Sequence, residues 1–357
     1  GTSSITDQLG VIDARVIDTV CDQLAALRAA GHEVILVSSG AVSAGVSALG
    51  LAARPTDMPT LQAISAAGQS RLMETYNRSL ARHSLVAAQV LLVPNDFVNR
   101  RQYLHARQTL VRLLELGCVP IVNENDAIAP DELRFGDNDR IATLVAHNVA
   151  ADLLVLLTDL PGLFTADPRT DPSATLIETV EAGDPLLDVT ATQSGTNRGS
   201  GGMASKLSAA RMASWAGVRA VIARSSRPDV LVDAVRGEPV GTTFLPSGRN
   251  LPARKLWIGF ATSAEGAIVV DDGAERALVE RGTSLLPAGI VDVVGEFEEG
   301  DVVEVRNAAG VTFARGIVSA DSTVLRSVRG RRTSDLPGDV AHEAVHRDDL
   351  LVLSSRG

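Results

Sequence analysis

The 357 residues are 45% hydrophobic and 21% charged, which excludes a disordered or fibrous chain and leaves length for one large domain and a smaller one. A net charge of −10 argues against broad binding to a nucleic-acid backbone. No uncharged apolar run reaches the roughly 18 residues of a membrane span, and no charged-then-apolar leader opens the sequence, so neither membrane nor secretion is expected. Cys21 and Cys118 are too few for a disulfide scaffold or a four-cysteine metal site, and read as buried thiols of a cytoplasmic protein.

In chain order, Val16, Val20, Leu24 and Leu27 recur at helical spacing and Gly31 ends the helix. Residues 33–37 form a short apolar run of buried-strand type. Leu61, Ile64, Leu72, Tyr76 and Leu80 mark a long helix, residues 85–93 a strand, residues 103–116 a helix and residues 119–122 a strand. A helix with an acidic start is predicted over 137–150, a strand over 152–157, a helix over 203–216, a strand over 218–223 and a short helix over 228–235 with Pro228 in its first turn. Strands alternating with helices predict a mostly parallel sheet covered by helices on both faces.

Near residue 245 the pattern changes. Pro246, Gly248 and Pro252 punctuate a connecting segment, and beyond it short strands are predicted at 267–270, 284–286, 302–305, 311–318 and 344–353, with one helix over 274–281. The expected organisation is an α/β domain over 1–245, a linker over 246–260 and a small β-rich domain over 261–357.

In open parallel sheets ligands bind beyond the carboxyl ends of strands. After the 33–37 strand, Ser38-Ser39-Gly40-Ala41 leads through small residues into a helix, either an anion-binding turn or an ordinary connection. After the 119–122 strand, Asn123-Glu124-Asn125-Asp126 is a dense polar cluster that suits an ammonium group or a small polar substrate, or a capped turn. Gly136-Asp137-Asn138-Asp139 opens a helix with more carboxylates than capping needs. These residues alone are weak evidence for a metal, since Mg²⁺ also takes water and substrate phosphate. After the 152–157 strand, Thr158 and Asp159 begin a polar loop that could hold a nucleotide's base and ribose.

The sharpest signal is Gly199-Ser200-Gly201-Gly202-Met203-Ala204-Ser205-Lys206. Among 33 basic residues only Lys206 and Lys255 are lysines. Glycine-rich backbone can cradle phosphate oxygens, and a lysine on the following helix can neutralise a phosphoryl group in transit, although the spacing is not that of a Walker A loop.

Taken together and in order, these segments resemble the glutamate 5-kinases, a branch of the amino-acid kinase family. Gly1-Thr2-Ser3 matches the family's Lys-x-Gly-Thr-Ser motif, and the β-rich tail resembles a PUA domain. The resemblance implies an amino-acid-kinase-like α/β fold and the reaction ATP + L-glutamate → ADP + γ-glutamyl phosphate, the first step of proline biosynthesis. It implies that Ser39, Gly40, Asp126, Asp137 and Asn138 bind glutamate. Gly1, Thr158, Asp159 and the run Ser200, Gly201, Gly202, Met203, Ala204, Ser205 and Lys206 would bind ATP. Lys206 would be catalytic, and Asp139 would hold the catalytic lysines in place. Mg²⁺ would bridge the β- and γ-phosphates, with no protein metal site. Proline as feedback inhibitor, hand-over to glutamyl-phosphate reductase and a homo-oligomer are implied partners.

The family's first lysine and its strand would fall ahead of Gly1. A chain beginning at Gly1 is therefore expected to turn over slowly and to gain rate when a strand ending in Lys-x is restored. Two other readings compete: another member of the amino-acid kinase family, and RNA binding through the C-terminal domain. Residues 246–357 carry 13 Lys and Arg against 17 Asp and Glu, the wrong balance for an RNA surface, though Arg326, Arg329, Arg331 and Arg332 cluster locally.

Overall fold

The computed structural model describes residues 5–6, 11–128, 138–182, 184, 186, 201–248, 251–261, 264–335 and 342–353. They fall into two compact units, one of Gly1–Ala182 and Asn197–Asn250, the other of Gly183–Thr196 and Leu251–Gly357.

The first unit carries seven strands and seven helices among its described residues: α1 (Ala14–Ala29), β1 (Leu36–Val37), α2 (Ala41–Ala48), α3 (Met58–Ala81), β2 (Ala87–Leu92), α4 (Arg100–Glu115), β3 (Val119–Glu124), α5 (Asn138–Asn148), β4 (Leu153–Thr158), β5 (Thr179–Val180), α6 (Gly201–Trp215), β6 (Arg219–Arg224), α7 (Val230–Arg236) and β7 (Gly241–Phe244). Side chains fix several helix starts: Asp13 caps α1, Asp57 caps α3 and Asn99 caps α4, each carboxylate or amide oxygen accepting from a first-turn N–H.

The strands form two sheets. In the first, β3 lies between β1 and β2 and is parallel to both; in the second the order is β4, β6, β7, β5. The second sheet is mixed, because β7 runs antiparallel to β6 while β4 and β6 are parallel. All six residues of β3 are buried, as expected of a strand covered on both faces. Ile17, Val20 and Leu24 of α1, Leu72 and Tyr76 of α3, and Val230 and Leu231 of α7 form one cluster with Val119, Ile121 and Val221 of the sheets.

Two glycines let α2 and α3 touch backbone to backbone. A Cβ on Gly68 would lie 1.9 Å from the Ala41 carbonyl oxygen, and one on Gly45 would lie 2.0 Å from that of Ile64. This approach brings the middle of α3 beside the turn that opens α2.

β1 and β4 are edge strands, and a cavity of about 540 Å³ is lined by both, with Ser39, Asn138 and Asp139 also on its wall. The strand expected over 33–37 is therefore only Leu36–Val37: Val34 and Ile35 line the cavity instead of extending the ladder to β3. β3 runs two residues beyond the expected end, so Asn123 and Glu124 are strand residues. β5 and β7 are additions to the sequence reading. Pro228 precedes the α7 helix, which starts at Val230 after Asp229 in a left-handed conformation (φ 51°).

The second unit contains α8 (Ala253–Leu256), β8 (Gly266–Val270), α9 (Asp272–Arg281), β9 (Ile290–Val294), β10 (Val302–Arg306), β11 (Thr312–Val318), α10 (Ser322–Val328) and β12 (Val345–Val352), with a π-helical turn at Trp257–Ala261. Its five strands are ordered β12, β11, β10, β8, β9. Ile268, Val303, Val305, Phe313 and Val345 anchor its core. Residues 253–260 of the expected linker are helical, with Leu256 and Ile258 fully buried. Residues 284–286 make only an isolated bridge from Leu285 to Val345, while β9 and α10 form where no element was expected.

Candidate active site

Three of the polar segments singled out in the sequence, those of Ser39, Asn123 to Asp126 and Asn138 to Asp139, meet beyond the ends of β1 and β3, and the last also reaches Lys206. At the end of β1, Ser38 is buried and its hydroxyl is 2.7 Å from the Tyr76 hydroxyl of α3. Gly40 follows in a left-handed conformation (φ 101°) as the residue before α2, and a Cβ there would press on Ile5 at 2.8 Å. Glycine is thus favoured by the backbone conformation.

Asn138 joins two strand ends. Its Nδ2 donates to Ser39 Oγ at 3.1 Å, and its Oδ1 accepts from the Glu124 amide at 3.1 Å. The amide is 9% exposed, so both ends of the side chain are satisfied in a largely dry setting. Asp126 accepts from Ser65 Oγ at 2.6 Å. Burial pushes the Asp126 carboxyl above its ordinary range, opposed by the Ser65 hydrogen bond and the positive charge of Arg54. A carboxylate held in this way is ready for a cationic group, which would offset the cost of its burial.

Asp139, the next residue on α5, faces the other half of the constellation. Lys206 Nζ donates to both Asp139 oxygens, at 2.8 and 3.0 Å, and Ser205 Oγ donates to Oδ2 at 3.0 Å. The Lys206 side chain is 8% exposed, so this ammonium is nearly sealed from water beside one carboxylate. α6 already begins at Gly201, which makes the first glycines the N-terminal turn of the helix rather than a loop before it. The helix start offers unpaired N–H groups, and a Cβ on Gly202 would meet nothing within 4 Å. That open backbone, with an ammonium one turn later, fits a nucleotide phosphate. The side chain of Met203 points the other way, into the core, at 5% exposure, and Ala204 is exposed. Thr158 closes β4 with its hydroxyl donating to Asp159 Oδ1 at 3.0 Å.

The structure therefore brings Ser39, Asn138, Asp139, Ser205 and Lys206 into one hydrogen-bonded chain and sets Asp126 on the same strand end as Glu124. Gly1, Asp137 and Ser200 lie outside the described residues. Among the described residues no three His, Cys, Asp or Glu side chains gather as a metal site, so a Mg²⁺ arriving with a nucleotide would depend on phosphate oxygens and water for most of its ligands.

Three residues escaped the sequence reading. Ser65 and Gln69 of α3 lie four apart, hence on one helix face, and Tyr76 lies two turns further on. Each reaches a strand end: Ser65 to Asp126, Gln69 to Asn123 at 3.0 Å, Tyr76 to Ser38. The available signal was two polar residues at buried positions of a helix whose other buried residues include Leu61, Ile64 and Leu72.

Residues 1–224 match the model of the amino acid kinase family, and residues 266–337 match the PUA domain. A glutamate 5-kinase of Citrifermentans bemidjiense is 45% identical over 99% of this chain and 96% of its own length. A glutamate 5-kinase of Synechococcus sp. strain JA-3-3Ab gives the same identity and the same coverage. A glutamate 5-kinase of Thermobifida fusca is 45% identical over 99% of this chain and 92% of its own.

Proposed function

Since the chain belongs to the amino acid kinase family, in its glutamate 5-kinase branch, we propose the following division of labour among its residues. The enzyme is an ATP-using phosphotransferase with a carboxyl group as acceptor, and it carries a PUA domain. The reaction is ATP + L-glutamate → ADP + γ-glutamyl phosphate. An oxygen of the γ-carboxylate forms a bond to the terminal phosphorus, and the bond from that phosphorus to the β-phosphate oxygen breaks.

The observation that carries this reading is the placement of Asn138 and Asp139. These neighbours on the first turn of α5 reach in two directions, one to Ser39 and the β3 end, the other to Lys206 and Ser205. The acceptor side and the phosphate side are thus held by one rigid helix start. Positioning of this kind is what phosphoryl transfer needs, because the carboxylate is already ionised at neutral pH and no general base is required.

Asp126 takes the substrate ammonium, and Ser39, Gly40 and Asn138 hold the amino acid, with Asp137 assigned to the same group. Gly1, Thr158, Asp159 and Ser200 through Lys206 hold ATP. Lys206 neutralises charge on the moving phosphoryl group, and Asp139 aims it. A Mg²⁺ bound to the triphosphate would lower the repulsion between the two anions. Proline binds where glutamate binds, since it shares the α-amino and α-carboxylate groups. The labile acyl phosphate passes to glutamyl-phosphate reductase in the cytoplasm, and the kinase works as a homo-oligomer. Residues 1–245 form the kinase domain, 246–260 the connection and 261–357 the PUA-like domain.

The test is acyl-phosphate trapping. The chain is incubated with ATP, hydroxylamine and glutamate, aspartate or N-acetylglutamate in turn. Glutamate hydroxamate is expected, suppressed by proline; aspartate hydroxamate without the glutamate product would overturn the substrate assignment.

A further inference from the structure

The polar row on α3 leaves one group unsatisfied. Gln69 is 8% exposed, its Oε1 accepts from Asn123 Nδ2 at 3.0 Å, and its Nε2 is sealed from water with no hydrogen-bond partner among the described residues. The bond to Asn123 fixes the amide: with Oε1 engaged, Nε2 and its two N–H groups are directed elsewhere. A buried donor left unpaired carries its full desolvation penalty, so a satisfied chain would not keep one here without a use.

The neighbouring polar groups are committed. Asn123 spends Nδ2 on Gln69 and Oδ1 on the Glu124 amide, Asn138 is bonded at both ends, and Tyr76 is paired with Ser38. Asp126 has one oxygen on Ser65, and beside it stands the positive charge of Arg54. The α3–β3 junction therefore holds one unsatisfied donor and one carboxylate. An α-amino acid presents the complement, an ammonium and a carboxylate on the same carbon. A neutral amide also suits this place better than a lysine or arginine, which would pair with Asp126 and compete with the substrate's ammonium.

We propose that Gln69 is a binding residue for the acceptor amino acid, its Nε2 donating to the substrate α-carboxylate while Asp126 holds the adjacent ammonium. The proposal rests on the reading of an amino acid as acceptor and adds the residue that recognises its non-reacting carboxylate.

The test compares L-glutamate with 4-aminobutyrate, which keeps the amine and the reacting carboxylate and lacks the α-carboxylate. kcat/KM is measured for both in the wild-type chain and in Gln69→Leu, with 4-aminobutyrate scored by its inhibition constant if its turnover is too slow. Gln69→Leu should lose at least tenfold in kcat/KM for glutamate, through KM, while the values for 4-aminobutyrate and the KM for ATP stay within threefold. Glutamate should also cease to raise the melting temperature of the variant, while ATP still does. Gln69→Asn, which keeps the amide on a shorter stem, should fall between the two and stands in if the leucine variant does not fold. If the variants keep the wild-type preference for glutamate over 4-aminobutyrate, or lose both equally, the proposal is wrong. If the wild type phosphorylates a different amino acid, the substrate reading fails and the same ratio is taken with that acid and its α-decarboxylated analogue.

Discussion

The two units bury polar side chains for different ends. In the first, Ser38, Ser65, Gln69, Asn123, Glu124, Asp126, Asn138, Thr158 and Lys206 are all buried, and they gather at strand ends and at the helices that face them. In the second, the buried polar side chains among the described residues are Glu304 and Ser322. Glu304 lies inside the sheet, where it accepts from Arg306 Nε and Nη2 at 3.0 and 2.7 Å and from Thr312 Oγ1 at 2.9 Å. Its hydrogen bond to Thr312 ties β10 to β11, and those to Arg306 stay within β10. Among the described residues the first unit leaves the Gln69 amide nitrogen at the strand ends without a hydrogen-bond partner, while Glu304 and Ser322 of the second are bonded within their own unit. Burial of polar groups costs stability unless they are paired, and a ligand reaching the Gln69 amide would supply the partner missing there.

Variants can break or sharpen this contrast. The largest effect is expected from Lys206→Ala. Removing a preorganised charge at a phosphoryl-transfer site should lower kcat by about 10²–10³-fold while KM for glutamate changes little, as read from ADP release. A loss confined to KM would separate Lys206 from the chemistry.

Next is Gly68→Ala, whose new methyl would sit 1.9 Å from the Ala41 carbonyl oxygen. Overpacking there should cost about 3 kcal/mol in a denaturant melt and loosen α3 from the strand ends. An unchanged midpoint would show that α2 and α3 can separate freely. In the second unit, Glu304→Gln should lower stability by about 1–2 kcal/mol through weakened charged hydrogen bonds, with turnover kept within twofold. A collapse of turnover would mean that this carboxylate serves the reaction.

The smallest effect has an unusual sign. Because the Asp126 carboxyl is raised by burial, its protonated form is favoured in the fold. The penalty is absent below about pH 4, grows as pH rises through the ordinary and then the raised value, and is fully present at neutral pH. Asp126→Asn should therefore melt slightly above the parent at pH 7–8, with the gain vanishing in acid, while glutamate phosphorylation is lost. A lower melting temperature at neutral pH would show that Asp126 is needed for folding rather than held in reserve for a substrate.

Much of this was legible along the chain. Apolar runs bounded by polar residues located β2, β3, β4 and β6 and, at or beyond their ends, Asn123, Asp126, Thr158 and the stretch before Lys206. The short strands were less legible. β5 has two residues and β7 has four, too few for a periodic signal, and β9 was passed over although it carries Ile290 and Val293 on its buried face. Ser65 and Gln69 were invisible because a helical period counts apolar positions, and their partners Asp126 and Asn123 lie 61 and 54 residues away.

By itself the order of residues determined the alternation of strands and helices, the glycines that open α2 and α6, and the rarity that drew attention to Lys206. Those follow from local sterics, periodicity and charge, which act over a few residues. Only the folded chain decided that Asn138 and Asp139 would divide between two halves of one site, and that α3 would press a serine and a glutamine onto β3. Such contacts join distant segments through close backbone packing at Gly45 and Gly68, and no short window of sequence contains both partners.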